Sequence, residues 1–390
     1  MSKIINLVLL LLFVSDTAFG RGWIPVGDFI PRLLLFCLLV IFNGERVFNK
    51  ATFFLMGYFL YTMIMNSINS VETDPIGLTV ALFEILIPML LFVTVKFAAT
   101  GRDLLKLNRY SFCISIAVIV CTIIALLNNP SIARLMASVS NFEGGLAEIR
   151  SYQRVGVAAY DFSAVVMFFP VVLMAYYKEY NLKKIFFYVG MLLFFIFLYK
   201  VQASTPMILS LVITSLSYFV NEKTNKKFIL QVGILIGIMA LLFPIFLELV
   251  APFVGGTAFE NKVVGLSELT ETGQTSGEVL GRYELYEISM RSFSEGYLFG
   301  HADAHVGGHS FILDRLARYG IVGVALLLAS LYFSFKYIYI WISYPYRWHY
   351  LLCVFALISF MVIKNVAGMD YWLYMFVFIP CIFKYFELKR

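Results

Sequence analysis

Charge is scarce in this sequence. Asp, Glu, Lys and Arg make up 14% of its 390 residues, against 61% hydrophobic and 17% aromatic. A soluble domain carries about 25% charged residues, so a chain of mean hydropathy +0.85 lacks the polar surface to coat a globule. The same figures exclude disordered, collagen-like and coiled-coil classes. Cysteine is sparse as well. Cys37, Cys113, Cys121, Cys353 and Cys381 all lie in apolar runs, with no CxxC and no paired spacing. That excludes a disulfide framework and a metal knuckle, and leaves small apolar packing residues. What remains is an all-α polytopic membrane protein, because the aromatic-rich runs are too long and continuous for barrel strands.

A helix needs about 20 apolar residues to cross a bilayer. Runs of that kind predict about twelve spans, at 4–20, 29–43, 51–70, 76–98, 110–128, 156–177, 185–200, 204–220, 228–250, 310–334, 349–366 and 368–386. The whole chain, 1–390, reads as one integral membrane domain. The first segment has the outline of a signal peptide, but Asp16 falls where cleavage would occur, so it is read as a retained span. With the N-terminus placed inside, the inner segments hold 18 of the 30 basic residues and five of the 24 acidic ones. Positive charge kept inside predicts cytoplasmic N- and C-termini. Trp23, Trp341, Trp348 and Trp372 fall at span ends, as interfacial anchors do.

The basic residues are also sorted by type. The inner set is mostly lysine, whereas the outer set holds nine arginines, including Arg150, Arg154, Arg282, Arg291, Arg315 and Arg318. Topology needs only positive charge. Arginine adds a planar fork that grips phosphate at two points, so arginines on the outer side point to an anionic ligand there, with ion pairing as the competing role.

Two outer loops are long, 129–155 and 251–308, and long loops in a compact protein are usually functional. Residues 255–278 read as loop, and 279–295 as an amphipathic surface helix with Leu285, Ile288 and Met290 at helical spacing. Arg282 and Arg291 are nine residues apart and fall on opposite helix faces. Arg150 and Arg154 share a face if helical, with Asp161 further along the stripe, to pair with Arg154 or to contact substrate. His301, His305 and His309 recur every four residues, as helical metal ligands would. Gly300, Gly307 and Gly308 interrupt that helix and no carboxylate or thiol set completes a site, so no metal is expected. His309 instead opens a membrane helix, where the dipole disfavours imidazolium and leaves a neutral base. Asp314 and Arg318 are expected to pair along the helix surface, and Glu84 and Glu248 to be packed or hydrogen-bonded within spans.

The pieces Gly281-Arg282, Gly296-Tyr-Leu-Phe-Gly300, Gly308-His309-Ser310 and Tyr319-Gly320-Ile-Val-Gly323 together resemble the loop-to-helix pattern of the bacterial O-antigen polymerase and ligase superfamily. The match covers about 45 residues, from 280 to 323. Ser310 stands where Asn is common, and Val201–Thr205 lacks the arginine the family often has at that point, leaving Lys200, Arg150 or Arg154 as substitutes. The resemblance implies a glycosyltransferase of the bacterial inner membrane. It would use undecaprenyl-diphosphate-linked oligosaccharide and membrane lipid at the periplasmic face, without metal, nucleotide sugar or other cofactor, and with a chain-length regulator as partner. His309 and Arg282 would be catalytic, and Arg150, Arg154, Asp161 and Arg291 would bind substrate. Polymerisation is the leading expectation, with ligation to lipid A–core as its rival and a lipid-linked sugar flippase as the alternative of another class.

Overall fold

The computed structural model describes residues 29–69, 75–137, 145–180, 182–220, 260–272, 277–365 and 368–389. Among them there is no strand. In chain order the helices are α1 (Phe29–Asn43), α2 (Lys50–Ile68), α3 (Pro75–Ala98), α4 (Gly101–Asn128), α5 (Ile132–Ala137), α6 (Gly145–Arg154), α7 (Phe162–Val166) and α8 (Phe169–Tyr180). They continue as α9 (Lys184–Lys200), α10 (Ser204–Phe219), α11 (Glu260–Thr272), α12 (Gly277–Glu295), α13 (Phe311–Trp341) and α14 (Tyr344–Ile363). Finally α15 (Met369–Leu373) runs through a π-helical turn at Tyr374–Phe378 into α16 (Ile379–Lys389). Among the described residues five helices are long and apolar enough to cross a membrane: α2, α3, α4, α13 and α14. The expected spans 4–20 and 228–250 lie outside the described residues.

Several boundaries differ from expectation, three of them for a plain local reason. The helix expected over 110–128 begins at Gly101, because Thr100 and Asp103 close a reciprocal capping box there. The run expected at 156–177 is divided at Met167-Phe168. Pro170 has no N–H to give Val166 and disfavours helical geometry at Phe169, so the ladder breaks. Part of the polar stretch 255–278 is helical, as α11, which packs against α12. Val263, Leu266 and Leu269 recur at helical spacing inside the Gly, Ser and Thr composition that suggested loop.

The bundle pairs α2 with α13, α1 with α3, α10 with α14, and α4 with α16. Its centre is aromatic: Trp372, Tyr346, Tyr350, Phe168, Phe197 and Phe376 are fully enclosed. Large apolar side chains also cover the outside, among them Ile41, Phe53, Leu60, Leu127, Ile185 and Ile358. An apolar coat of that extent belongs in lipid rather than water. Cys353 and Cys381 are buried, and all five cysteines are free. Within the spans, Glu84 is paired at 3.3 Å with Arg32, which is thereby accounted for structurally.

The two ends of the bundle differ. At one end, basic residues lie over rings: Arg46 over Phe97 at 4.4 Å, Lys50 over Phe333 at 5.6 Å, Arg347 over Tyr339 at 5.0 Å and Lys384 over Trp341 at 5.8 Å. The other end carries α12 and the loop 296–310.

Candidate functional site

The site is assembled around a break in α13. Gly320 sits at φ 60°, ψ −169°, a conformation open in practice only to glycine, and the helix kinks there. A kink frees backbone groups that a membrane interior cannot leave unpaired. The loop segment 297–301 takes them up. Ile321 N–H donates to the Tyr297 carbonyl at 2.9 Å, Val322 N–H to Leu298 at 3.1 Å, and His301 N–H to the Ala317 carbonyl at 3.1 Å. The two segments touch backbone to backbone: a Cβ on Gly300 would meet the Gly320 nitrogen at 2.5 Å, and one on Gly320 the Leu298 oxygen at 2.4 Å. The Tyr61 hydroxyl, from α2, donates to Phe299 O at 2.8 Å and Tyr319 O at 3.2 Å, stitching both to the bundle.

A second clasp fixes α12 against the start of α13. A Cβ on Gly307 would lie 2.1 Å from the Leu285 carbonyl oxygen, so only glycine lets the loop pass. Gly307 N–H donates to Ser289 Oγ at 3.0 Å, and that hydroxyl donates to Asp314 Oδ1 at 2.7 Å. Asp314 is buried and, among the described residues, its Oδ2 has no hydrogen-bond partner. The expected Asp314–Arg318 pair is therefore replaced: Asp314 turns inward to Ser289, while Arg318 stays exposed.

These clasps bring His309 against the end of α14. Ser310 caps α13 by accepting from Leu313 N–H at 3.1 Å, and Phe311 N–H donates to the Lys364 carbonyl at 3.1 Å. His309 Nε2 stands 3.1 Å from Lys364 Nζ. An ammonium only donates, so Nε2 is the acceptor and the ring proton is assigned to Nδ1. The Tyr286 ring lies 6.1 Å from the imidazole, and its hydroxyl donates to the Ile363 carbonyl. Burial raises the Tyr286 pKa above its ordinary 10.0; Arg282, one turn back on α12, opposes that rise and Asp314 adds to it. Tyr286 thus lies beside His309 and one helical turn from Arg282.

Beside the cluster a cavity of about 270 Å³ opens between α2, α3 and α13. Leu55, Leu78, Leu82 and Ile85 form its apolar side, and Asp314, Arg315 and Arg318 its polar side. Gly308 and Asn365, the neighbours of His309 and Lys364, close one edge.

The remaining expected residues lie elsewhere. Arg291 is exposed, paired at 3.0 Å with Glu287, in a separate cleft shared with His301 and His305. The segment holding the three histidines is not helical between 296 and 310, so their spacing of four does not align them. Arg150 and Arg154 are exposed on α6, and Asp161 is exposed at the start of α7, within electrostatic range of Tyr371. Val201–Thr205 is a tight turn into α10, with Gln202 at φ 57°. Lys364 was not anticipated. Its signal is present in the sequence: it is one of three lysines outside the inner set, at the end of an apolar run.

No protein-family model matches the chain, and no curated protein matches it.

Proposed function

We propose that this protein is a membrane glycosyltransferase that polymerises undecaprenyl-diphosphate-linked oligosaccharide repeat units, of O-antigen or a related surface polysaccharide, at the periplasmic face of a bacterial inner membrane. The observation that carries the reading is the contact of His309 Nε2 with Lys364 Nζ, beside Tyr286 of the helix that holds Arg282 and next to a cavity lined by Arg315 and Arg318. With the end at Arg46, Lys50 and Lys384 taken as cytoplasmic, this contact faces the periplasm, where lipid-linked repeat units are joined. About twelve spans, with both termini inside, complete this topology.

The chemistry follows from the donor. The anomeric C–O bond to the lipid diphosphate breaks, and its electron pair passes to the bridging phosphate oxygen. The acceptor hydroxyl forms the new bond to the anomeric carbon from the opposite side, inverting it. Arg282 stabilises the growing negative charge, and oriented cationic donors of this kind contribute about 3 kcal/mol each in a partly dry site. Lys364 serves the same charge when it turns from His309 to phosphate, and that movement frees Nε2 to receive the hydroxyl proton, a transfer worth roughly 10²–10⁴-fold. Arg150, Arg154 and Asp161 are assigned to the sugar chain beyond the reacting residue. Arg291, held by Glu287, is assigned no role in the reacting cluster.

Reconstitution of the full chain with a defined lipid-diphosphate oligosaccharide, with products sized on a gel, tests the reading. Ladders of repeat units are expected, and Arg282→Ala should slow their growth about a hundredfold or more. Unchanged chain length in Arg282→Ala favours a flippase. A deletion strain separates polymerase from ligase: core capped by one repeat supports the polymerase, and lipid A–core with no O-antigen supports the ligase.

A further inference from the structure

The short segment that fills the kink in α13 carries three large apolar side chains that stay exposed: Tyr297 at 56%, Leu298 at 58% and Phe299 at 58%. Its backbone faces the other way. All three carbonyls are taken, by Ile321 N–H, Val322 N–H and the Tyr61 hydroxyl in turn, and Gly300 N–H closes the segment on the Gly296 carbonyl at 2.8 Å. The Tyr297 ring is braced edge-on by Phe293, with centroids 5.1 Å apart. Polar groups thus point into the bundle and apolar ones away from it. Irregular backbone survives at membrane depth only with its polar groups met by protein in this way.

Helix register gives the depth. α2 and α13 are both of membrane-spanning length, and lysines mark one border: Lys50 opens α2 over the Phe333 ring, and Lys336 lies over the Tyr332 ring near the end of α13. Tyr61 follows Lys50 by eleven residues, and Ile321 precedes Lys336 by fifteen. At 1.5 Å per residue the segment is held about 16 Å from that border along α2 and about 22 Å along α13. A helix tilt of about 20° shortens both by less than a tenth. The hydrocarbon layer is about 30 Å thick, so the segment sits within it, past the midplane. Beyond Tyr61, α2 continues apolar and exposed through Met63, Ile64 and Ile68. Charge returns at the necks, where Glu295, His301 and Arg318 are exposed and mark the far border.

We infer that residues 296–300 form a re-entrant turn that enters the leaflet opposite the lysines and seats Tyr297, Leu298 and Phe299 among the acyl chains of the bilayer. Lipid is the occupant for two reasons. The tip is continuous with exposed Leu60 and Ile64 on α2 and Ile321 on α13, at a depth no soluble partner reaches. Three partly exposed side chains also offer far less than the about 800 Å² that a stable protein interface takes from each partner. The turn fixes the height of α12, which ends one residue before it, against the membrane. None of this depends on the proposed function, because it follows from helix register and exposure alone.

Nitroxide labels read the depth. In the full chain, Cys37, Cys113 and Cys121, the cysteines that are not buried, are changed to serine. Single labelling sites are then introduced as Leu298→Cys and Phe299→Cys, with Leu60→Cys as a reference on the lipid face of α2 and Glu284→Cys as an exposed reference on α12. Each protein is reconstituted in phosphatidylcholine vesicles, and circular dichroism confirms that it is folded. The labels replace exposed side chains, so they disturb little packing. Labels at Leu298 and Phe299 should match Leu60 in accessibility to oxygen, which concentrates in lipid. They should be about tenfold or more less accessible than Glu284 to a water-soluble nickel chelate, which the hydrocarbon layer excludes. In a second measurement p-benzoylphenylalanine replaces Phe299, and irradiation in the same vesicles should yield phospholipid adducts by mass spectrometry. Labels at 298 and 299 as open to the chelate as Glu284 would place the turn in water and overturn the inference. Labels closed to both oxygen and chelate would bury it in protein and overturn it as well. Adducts to a second copy of the chain in place of lipid would make the tip a subunit contact and overturn the lipid assignment.

Discussion

Four glycines near the site are expected to respond to one substitution, alanine, with different signs. Gly281 lies inside α12 in helical geometry, with nothing within 4 Å of where a Cβ would be placed. Gly281→Ala should therefore stabilise by about 0.8–1.0 kcal/mol, the ordinary helix-interior difference. Gly308 is equally open but has φ +70°, so Gly308→Ala pays only the left-handed strain, about 1–2 kcal/mol. Gly300 and Gly320 combine positive φ with backbone neighbours at 2.4–2.6 Å. Those atoms yield only if the loop and the kinked helix part. Parting removes three backbone hydrogen bonds, His301 to Ala317, Ile321 to Tyr297 and Val322 to Leu298. At about 1 kcal/mol each, added to about 1–3 kcal/mol of backbone strain, the cost is about 4–6 kcal/mol. The assay is unfolding in mixed detergent, followed by far-UV circular dichroism on the four single variants. The expected order of stability is Gly281→Ala, parent, Gly308→Ala, then Gly300→Ala and Gly320→Ala together. A Gly320→Ala protein as stable as its parent, or a Gly281→Ala protein as damaged as Gly320→Ala, would refute the interlock between the two segments.

Ser289→Ala removes the donor to Asp314 Oδ1 and leaves the buried carboxylate unsatisfied; it should cost about 2 kcal/mol, whereas Ser289→Thr, which keeps the hydroxyl, should cost less than half of that in the same unfolding assay. Arg32→Met strands Glu84, which is partly exposed, and should cost about 2 kcal/mol; Arg32→Met/Glu84→Met should recover most of it, and a double-mutant cycle measures the coupling. Tyr286 stays protonated to higher pH in the folded protein than in the unfolded chain, because burial raises its pKa. Its contribution is whole below pH 10 and fades as pH rises through the raised value, so alkaline titration of stability should show a loss above pH 10 that Tyr286→Phe diminishes.

The helical class and the five helices long enough to cross a membrane are legible in the sequence because they depend on apolar content, which lipid and core reward alike. Boundaries are less so. Thr100 starts α4 through a side-chain bond that hydropathy does not register. Pro170 divides a run whose composition is uniformly apolar. Residues 260–272 carry a helical apolar pattern diluted by polar residues, and composition outweighed spacing there. Positive φ at Gly300 and Gly320 leaves no trace beyond the glycines themselves, yet these positions belong to the motif pieces on which the family resemblance rests. The structure supplies a physical reason for that spacing: the pieces are two halves of one backbone junction.

Candidate residues are legible only where one residue type is rare. Histidine is scarce and arginine is set against a lysine-inside background, which singles out His309 and Arg282; Tyr286 lies 6.1 Å from the His309 ring and one turn from Arg282. Lys364 meets the same criterion, but a lone lysine at a span end is ordinarily a snorkelling anchor. Its contact with His309 changes the chemistry expected of the imidazole. A histidine at a helix start is a free base only if its lone pair is free, and here Nε2 accepts from Nζ at 3.1 Å. Under the proposed function, proton acceptance depends on anion binding that draws the ammonium away. In the reconstituted reaction, Lys364→Met should therefore lose rate through weaker diphosphate binding, and His309→Gln, which can still accept from Lys364, should lose rate while binding diphosphate as the parent does. A His309→Gln protein with the parent's rate would assign His309 to positioning Lys364 and leave the hydroxyl proton to another acceptor.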